Sequence, residues 1–389
     1  MDNVTHTLFA LTLARTPLGR GGRGATAALV LASNAPDIDI VAMLGGSANY
    51  LAWHRGPTHG PLGVLGLGVL TAALVWSGTH VWRPPSRLRS APAWHAEAQG
   101  AKAAGGPIRL KPDPTSESDP AERRAITRDA RFGMLVIVSM IGVLLHILMD
   151  LPTSYGTRLL SPFSWRWYAI DLLPIIDIYL LATLAAGLVL GRRSAEDGRR
   201  WAAIVFVLMA VNYGGRAIAH HDALQLTERL FGATLPPPCG QQSVTSLVDE
   251  WPRTVASRGA SAPCALDAAA LPTFFSLFQW RVIRRLPEAY WVYDVDTLDS
   301  GDRETMVTSQ WTPAVLEAAR TRTAQVFLGF SRFPDAAVSL DPADITTVRF
   351  IDMRFAVIDP DRDARRPAPF TLIVKIGPRH EILEERLGP

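Results

Sequence analysis

The sequence contains little cysteine and little net charge. Its two cysteines lie at positions 239 and 264 of 389 residues, so a cysteine-based zinc site is excluded upstream of them. The formal net charge is only +3, which gives little support to nucleic-acid binding, because such proteins usually concentrate basic residues on one face. A cleavable signal peptide of the usual form is not expected, because Met1-Asp2-Asn3 lacks basic residues and the first apolar run is short.

The composition instead indicates a membrane part and a water-soluble part. The chain is 48% hydrophobic and 19% charged, and its mean hydropathy is +0.13. This composition is too apolar for an ordinary soluble enzyme and too charged for a chain that is buried in lipid throughout. We therefore predict a mainly α protein, with a multi-span helical membrane domain over residues 1–221 and a soluble β-rich (α+β) domain over residues 222–389.

The apolar runs and basic segments together predict a topology. Helices that span the membrane are expected at about 24–42, 60–82, 132–150, 172–190 and 201–219. The basic segments between them are 15–23, 83–131 and 191–200, and the positive-inside rule places all three in the cytoplasm. Segment 83–131 is rich in proline and charge and is predicted to be a flexible cytoplasmic loop. The C-terminal domain is then extracytoplasmic.

Strand patterns begin after about residue 222. Alternating apolar residues predict strands at 280–284 and 290–295, with further strands within 346–358 and 370–376 and a helix at 311–323. This region shows no catalytic motif. Outside the cytoplasm Cys239 and Cys264 could form a disulfide, although free thiols fit the sequence equally well.

A pair of histidines forms the first candidate site. His54 and His59 flank the turn Arg55-Gly56-Pro57-Thr58, which could aim both imidazoles at one point, as a divalent metal site requires. The alternative is a polar turn at the membrane interface that binds nothing. Spacing alone does not separate these two interpretations.

Two N-terminal stretches carry matching chemistry. His6 lies in the first turn of a short apolar helix, where it could also be a capping or surface residue. Pro36 ends the next helix and leaves Asp37 and Asp39 at its terminus. Carboxylates so placed can bind metal ions, although a solvated helix cap would use them as well.

Ionisable residues also lie within the later apolar runs, where they are costly and are candidates for function. His146 and Asp150 are four residues apart and therefore share a helical face, as ligands or as a hydrogen-bonded pair. Asp177 could bind metal, pair with Arg158 or Arg216, or face a wet cavity. The adjacent residues His220 and His221 point about 100° apart on a helix, so we do not expect both to bind one metal ion.

The predicted topology gathers most of these candidates at one membrane face. The outer ends of the predicted helices carry Asp37, Asp39, His54, His59, Asp150 and Asp171, and His146 lies one turn below Asp150. His6 joins them if the first short helix is re-entrant with its N-terminus outward.

The first 180 or so residues resemble the YdjM-like family, described as membrane-bound metal-dependent hydrolases and as LexA-regulated inner-membrane proteins. The stretches that carry the resemblance are residues 1–6, 33–39, 54–59, 146–150 and 155–157. The family usually has serine where this chain has Gly60. The segment from His146 to Asp150 is also distantly similar to zinc-dependent phospholipase C and related nucleases, and that likeness implies phosphoester hydrolysis.

These observations lead to the hypothesis of a membrane-embedded hydrolase with its metal site at the outer membrane face. The candidate ligands are His6, Asp37, Asp39, His54, His59, His146 and Asp150. Asp39 or Asp171 could act as general base, and Arg55 or Arg158 could hold a phosphate or carboxylate. Zinc is expected from the mixture of imidazole and carboxylate, with manganese or iron as alternatives. The expected substrate is a phosphoester or another amphiphilic ester from the lipid bilayer of a bacterial-type inner membrane.

Two rival hypotheses remain at this stage. The same residues could hold a metal structurally in a non-catalytic membrane scaffold, and its coordination sphere would then be closed. A transporter or ion-binding protein is supported by Asp177, Asn212 and Arg216 within apolar runs.

Overall fold

The computed structural model describes residues 1–81, 131–232, 235–239, 246–252, 264–299, 303–309, 311–357 and 370–388. Apolar helices form the N-terminal part and antiparallel sheets dominate the C-terminal part, which confirms the coarse fold class. The predicted loop 83–131 lies outside the described residues except for its last residue.

The N-terminal part is built from helices joined by short 3-10 turns. The α-helices are α1 (Asn3–Leu13), α2 (Ala25–Ala32), α3 (Ser47–Trp53), α4 (Pro61–Val81), α5 (Phe132–Asp150), α6 (Ile178–Leu190) and α7 (Ala195–Phe231). The 3-10 helices are Pro17–Arg20, Ala35–Gly45 and Pro57–His59. Side chains cap several of the α-helices, because Asp2, Asp177 and Ser194 each accept hydrogen bonds from backbone N–H groups in the first turn.

Three of the described helices, α4, α5 and α7, are long and apolar enough to cross a membrane. Helix α2 and the 3-10 helix Ala35–Gly45 form a fourth candidate span that is bent by 41°. The bend lies at the residues before Pro36, where proline disfavours helix.

The later helices differ from the predicted bounds. The membrane span predicted at 172–190 is a shorter apolar helix of 13 residues that begins at Ile178, because Asp177 is its N-cap and not an interior residue. Helix α7 extends beyond the predicted 201–219 at both ends. The predicted domain boundary between residues 221 and 222 therefore falls inside a continuous helix.

Close packing of α2, α4 and α5 brings the candidate residues together. Gly142 of α5 faces α2, where an added Cβ would lie 2.9 Å from the Cβ of Ala32. Small residues at such crossings let helix backbones approach closely. Phe9, Leu29 and Leu135 belong to the buried apolar core beneath this crossing.

In the residues that the structure describes, the C-terminal part contains two four-stranded antiparallel meanders and two helices. The first sheet is β3 (Asp267–Pro272), β4 (Gln279–Arg285), β5 (Ala289–Asp296) and β6 (Arg303–Thr308), and the second is β7 (Pro334–Leu340), β8 (Thr346–Asp352), β9 (Thr371–Ile376) and β10 (Ile382–Leu387). Along the chain, α8 (Pro313–Ala318) and α9 (Arg322–Phe330) lie between the first and the second sheet. A single helix was predicted there. The strands predicted at 280–284 and 290–295 correspond to β4 and β5. Cys239 and Cys264 form a disulfide.

The two parts are joined by the segment between α5 and α6. Its strand β1 (Trp167–Ala169) pairs with β2 (Asp249–Trp251), and the rings of Trp167 and Trp251 stack at 6.0 Å. Arg354 donates hydrogen bonds to the carbonyl oxygens of Ser154 and Tyr155, at 2.9 and 3.0 Å. The C-terminal part thereby fixes the loop that directly follows Asp150.

Candidate metal centre

Four side chains from three elements converge at the ends of the apolar helices. Asp37 comes from the 3-10 helix after α2, His59 from the turn before α4, and His146 and Asp150 from the last turns of α5. One ligand atom from each lies within 4.8 Å of the others. Of these side chains, Asp37 is 18% exposed and the other three are fully buried. The cluster is therefore enclosed on the sides of His59, His146 and Asp150, and Asp37 is its most accessible member.

The distances within the cluster fit one tetrahedrally coordinated metal ion. The Nε2 atoms of His59 and His146 are 3.2 Å apart. Asp37 Oδ1 lies 3.7 and 3.6 Å from these two nitrogens, and Asp150 Oδ2 lies 3.5 Å from each. Metal–ligand bonds of roughly 2.0–2.2 Å in a tetrahedron place ligand atoms about 3.4 Å apart. Five of the six distances between these ligand atoms are therefore close to those of a tetrahedral site, and the sixth, between Asp37 and Asp150, is within 4.8 Å.

Both imidazoles are oriented from the side opposite to the cluster. His146 Nδ1 lies 2.8 Å from the carbonyl oxygen of Ser33, so that nitrogen donates and leaves the Nε2 lone pair for the cluster. His59 Nδ1 faces Thr58 Oγ1 at 3.0 Å and Asp39 Oδ2 at 3.7 Å. Burial lowers the pKa of His59, which favours the neutral imidazole that metal ligation requires.

Asp39 and His54 lie behind the cluster and not in it. Asp39 accepts a hydrogen bond from the backbone N–H of Arg55 at 2.7 Å, and its other oxygen is 3.3 Å from His54 Nδ1. The hydroxyl of Tyr50 lies 3.4 Å from His54 Nε2. These contacts make the two residues a support for the turn that carries His59.

Arg55 is held by the protein itself. Its Nη2 lies 3.2 Å from Asp150 Oδ2, and its Nη1 donates to the carbonyl oxygen of Gly156 at 2.9 Å. The guanidinium also lies over the ring of Tyr155 at 4.7 Å. Arg55 has a left-handed backbone with φ of 51°, which the buried side-chain contacts stabilise. Its guanidinium therefore holds the carboxylate of Asp150 in position. From the sequence, Arg55 was expected to bind a phosphate or carboxylate of the substrate.

His6 contacts the far side of the cluster. Its Nε2 lies 3.3 Å from Asp150 Oδ1, and its ring stacks on His146 with centroids 3.8 Å apart. The amino group of Met1 forms an ion pair with the same carboxylate. Neither ring nitrogen of His6 makes a well-formed hydrogen bond to the residues that the structure describes. His6 could thus contribute a nitrogen to a metal held by Asp150 Oδ1.

Asp171 and Arg158 lie in other environments. Asp171 forms an ion pair with Arg332 at 2.8 Å, and Asp249 and Asp267 contact the same guanidinium. Burial raises the pKa of Asp171 to about 7. Arg158 donates to the carbonyl oxygen of Ala52 and lies over the rings of Trp165 and Trp167. The structure does not bring Asp171 to the four-residue cluster.

The polar residues near α6 and α7 pair with one another. Asp177 Oδ1 caps α6, and its Oδ2 lies 2.9 Å from Arg216 Nη2 and 3.5 Å from Asn212 Nδ2. His220 packs edge-on against Trp280. His221 contacts Gln225. These contacts stabilise helix packing and the junction with the first sheet.

Several supporting residues were missed from the sequence. The Ser33 carbonyl has no side-chain signature, because any residue could supply it. Arg332 lies 161 positions from Asp171 and Arg354 lies 200 positions from Ser154, and no local pattern connects these residues. Tyr50 is different, since its spacing of four from His54 within a helical turn could have indicated the contact.

The apolar helices and the enclosed histidine–aspartate cluster define an integral membrane protein with a candidate metal site. A family model described as YdjM inner membrane protein matches residues 1–223, and the chain belongs to that family, as the resemblance predicted.

A curated relative matches about half of the chain. The Bacillus subtilis (strain 168) protein described as "Uncharacterized protein YfhP" is 22% identical over 217 residues, which cover 54% of this chain and 52% of that protein. The chain thus matches about half the length of this relative. No solved structure matches the chain significantly.

Proposed function

We propose that this protein is a membrane-embedded hydrolase that holds a divalent metal, zinc in the first instance, on Asp37, His59, His146 and Asp150. The observation that carries the proposal is the spacing of four ligand atoms from three separate segments at tetrahedral distances. Ionisable residues are rarely buried together at the ends of apolar helices without a function. Manganese and iron suit the same donors and remain alternatives.

Different residues of the chain have different roles at such a site. A metal ion bound here supplies a Lewis acid that activates water and polarises an ester. Arg55 and the turn that contains Asp39 hold two of the ligands in place. Asp37 Oδ2 has no hydrogen-bond partner among the described residues, and we assign it the role of proton acceptor. Asp39 and Asp171, the bases suggested by the sequence, already bind neighbouring groups.

The surroundings of Asp37 favour an amphiphilic substrate. The 3-10 helix that carries Asp37 exposes Ile38, Ile40, Val41 and Leu44, which are each more than half exposed. An apolar surface beside a polar site suits a molecule with an acyl chain and a polar head. The proposed substrate is therefore a phosphoester or lipid-like ester from the bilayer. We further expect the site and the C-terminal part on the extracytoplasmic side of the inner membrane.

The rival hypotheses have weaker support. A structural metal site would be closed, and four side chains would fill the sphere of one tetrahedral ion, so hydrolysis requires Asp37, the one partly exposed ligand, to give up its position to water. Transport was suggested by Asp177, Asn212 and Arg216, and in the structure Asp177 contacts both of the other two, while Nε and Nη1 of Arg216 have no hydrogen-bond partner among the described residues.

Hydrolysis is tested with the full-length protein in detergent after loading with zinc, manganese or iron. The substrates are bis-p-nitrophenyl phosphate, p-nitrophenyl butyrate and a short-chain phosphatidylglycerol. We expect His146→Ala to reduce turnover of at least one substrate by about a hundredfold or more, because a metal ligand is lost. The exposed His221→Ala is the matched control and should retain turnover. If the metal-loaded protein cleaves none of the three substrates, the result would favour the non-catalytic membrane scaffold.

A further inference from the structure

A second buried cation lies outside the metal cluster. Arg158 is 6% exposed, and among the described residues no carboxylate forms an ion pair with it. An unpaired charge in such a position is costly. The other deeply buried arginines near the junction differ, because Arg55, Arg332 and Arg354 each contact an aspartate.

The hydrogen bonds of Arg158 leave part of the guanidinium unused. Its Nη1 donates to the Ala52 carbonyl oxygen, and its Nε has no partner. Burial lowers the pKa of Arg158 to about 10, so the group still carries its charge at neutral pH. The rings of Trp167 and Trp165 lie 4.3 and 5.1 Å from the guanidinium carbon, which fixes the orientation of its plane.

Arg158 lines a cavity between the membrane part and the C-terminal part. The cavity has a volume of about 450 Å³, within the range of small-molecule sites. Its wall includes Trp165, Arg166, Val326 and Gly329. Arg166 differs from Arg158 because Glu250 Oε1 accepts its hydrogen bond at 2.6 Å. One uncompensated positive charge therefore faces this space.

Apolar side chains surround the same loop. Phe163 is 77% exposed, and Trp165 meets the exposed Trp53 edge-to-face at 5.6 Å. The loop lies at the end of the membrane helix α4, because an added Cβ on Gly60 would be 1.9 Å from the Ser161 carbonyl oxygen. A buried cation at the end of a membrane helix, beside exposed aromatic rings, has the chemistry of an interfacial headgroup site.

We propose that this cavity binds the phosphate group of an anionic amphiphile, with Arg158 as its counter-cation and the rings of Trp53 and Phe163 beside its acyl chain. The site is separate from the metal ligands, and its occupancy does not depend on hydrolysis. A guanidinium suits phosphate because its planar N–H groups match the phosphate oxygens.

Binding is measured on the full-length protein in phosphate-free neutral detergent, by following tryptophan fluorescence during titration. The probes are dioctanoyl phosphatidylglycerol, inorganic phosphate and uncharged dioctanoylglycerol. Arg158→Gln removes the cation. Gly329→Leu fills the cavity and leaves Arg158 intact, since an added Cβ at Gly329 has no atom within 4 Å. Arg166→Gln is the matched control, because it removes an equal charge that already has a carboxylate partner.

We expect saturable binding of the phosphatidylglycerol that weakens about tenfold or more in Arg158→Gln, as for a lost charge-assisted hydrogen bond. Gly329→Leu should weaken binding at least as much, and Arg166→Gln should change it less than about threefold. Inorganic phosphate that binds as tightly would support the phosphate site and identify a free anion as its occupant. The proposal is overturned if neither anion binds saturably, if dioctanoylglycerol binds equally well, or if Gly329→Leu binds like the wild type.

Discussion

His59 Nε2 and His146 Nε2 lie 3.2 Å apart, and each ring is contacted at Nδ1 by other groups. The Ser33 carbonyl fixes the proton of His146 on Nδ1, so its Nε2 presents a lone pair to the second imidazole and to two carboxylates. Electron pairs directed at one point repel each other unless a proton on His59 Nε2 or a metal cation lies between them. This relationship is the physical reason to expect a metal in the cluster.

Zinc should stabilise the folded protein. Because a ligand that binds the folded state adds to the free energy of unfolding, zinc at about 100 times its dissociation constant should add about 2.7 kcal/mol. Thermal unfolding of the detergent-purified protein, with zinc and with a chelator, measures the effect. His146→Ala should abolish the zinc-dependent shift, and the exposed His221→Ala should retain it. A shift of equal size in both variants would place the zinc elsewhere.

Asp39→Asn should weaken metal binding and not abolish it. The carboxylate of Asp39 supports His54 and the backbone of Arg55, and loss of such a supporting group typically lowers metal affinity by about 10–100-fold. Competition with a fluorescent zinc chelator measures this affinity. Asp294→Asn on β5, paired with Arg281 far along the chain, is the control. Complete loss of zinc in Asp39→Asn would make Asp39 a direct ligand.

Gly60→Ser should destabilise the protein, although serine is usual at this position in the family. Its Cβ would meet the Ser161 carbonyl oxygen at 1.9 Å, so the loop after Arg158 would have to move. Overpacking of this kind typically costs about 1–3 kcal/mol, which thermal unfolding detects. Gly66→Ser within α4 has no atom within 4 Å of the new Cβ and should cost less. Equal effects would show that the loop adapts freely.

The ion cluster around Arg332 should make stability depend on pH. Burial raises the folded-state pKa of Asp171 to about 7, above the usual 3.8, so the folded protein retains a proton that the unfolded chain loses. This contribution is complete below the unfolded pKa and decreases as the pH rises towards 7. Between pH 5.5 and pH 8 the free energy of unfolding should therefore decrease by about 2 kcal/mol.

Asp171→Asn removes this titration and should flatten the stability profile over that range. The melting temperatures of both proteins at pH 5.5 and pH 8 measure it, with Asp294→Asn as an exposed control that keeps the wild-type slope. A wild-type melting temperature that rises between these two pH values would contradict the expected sign.

The sequence allowed the convergence of the four clustered residues to be predicted better than the contacts of their neighbours. His146 and Asp150 share a helical face, and the Gly56-Pro57 turn brings His59 back to the helix end, so local rules sufficed for these residues. The predicted bounds of α6 were wrong, because an aspartate at position 177 is compatible with an N-cap as well as with a helix interior. Apolar composition alone does not distinguish these two positions.

Contacts between distant segments were beyond such rules. Pairing of β1 with β2, and the arginines that hold Asp171 and the Ser154 carbonyl, depend on how the C-terminal part packs against the helices. The sequence placed Arg55, Asp39 and Asp171 in catalytic roles because their residue types suited the chemistry. Their partners in the structure give them supporting contacts.

Metal analysis of the detergent-purified protein is the most direct test of the central claim. Wild type, His59→Ala and Asp150→Ala are compared with His221→Ala after purification without chelators. We expect about one tightly held metal ion per chain in the wild type and in His221→Ala, and loss of that ion from both cluster variants. Wild-type protein without metal, or metal that persists in both His59→Ala and Asp150→Ala, would contradict the account.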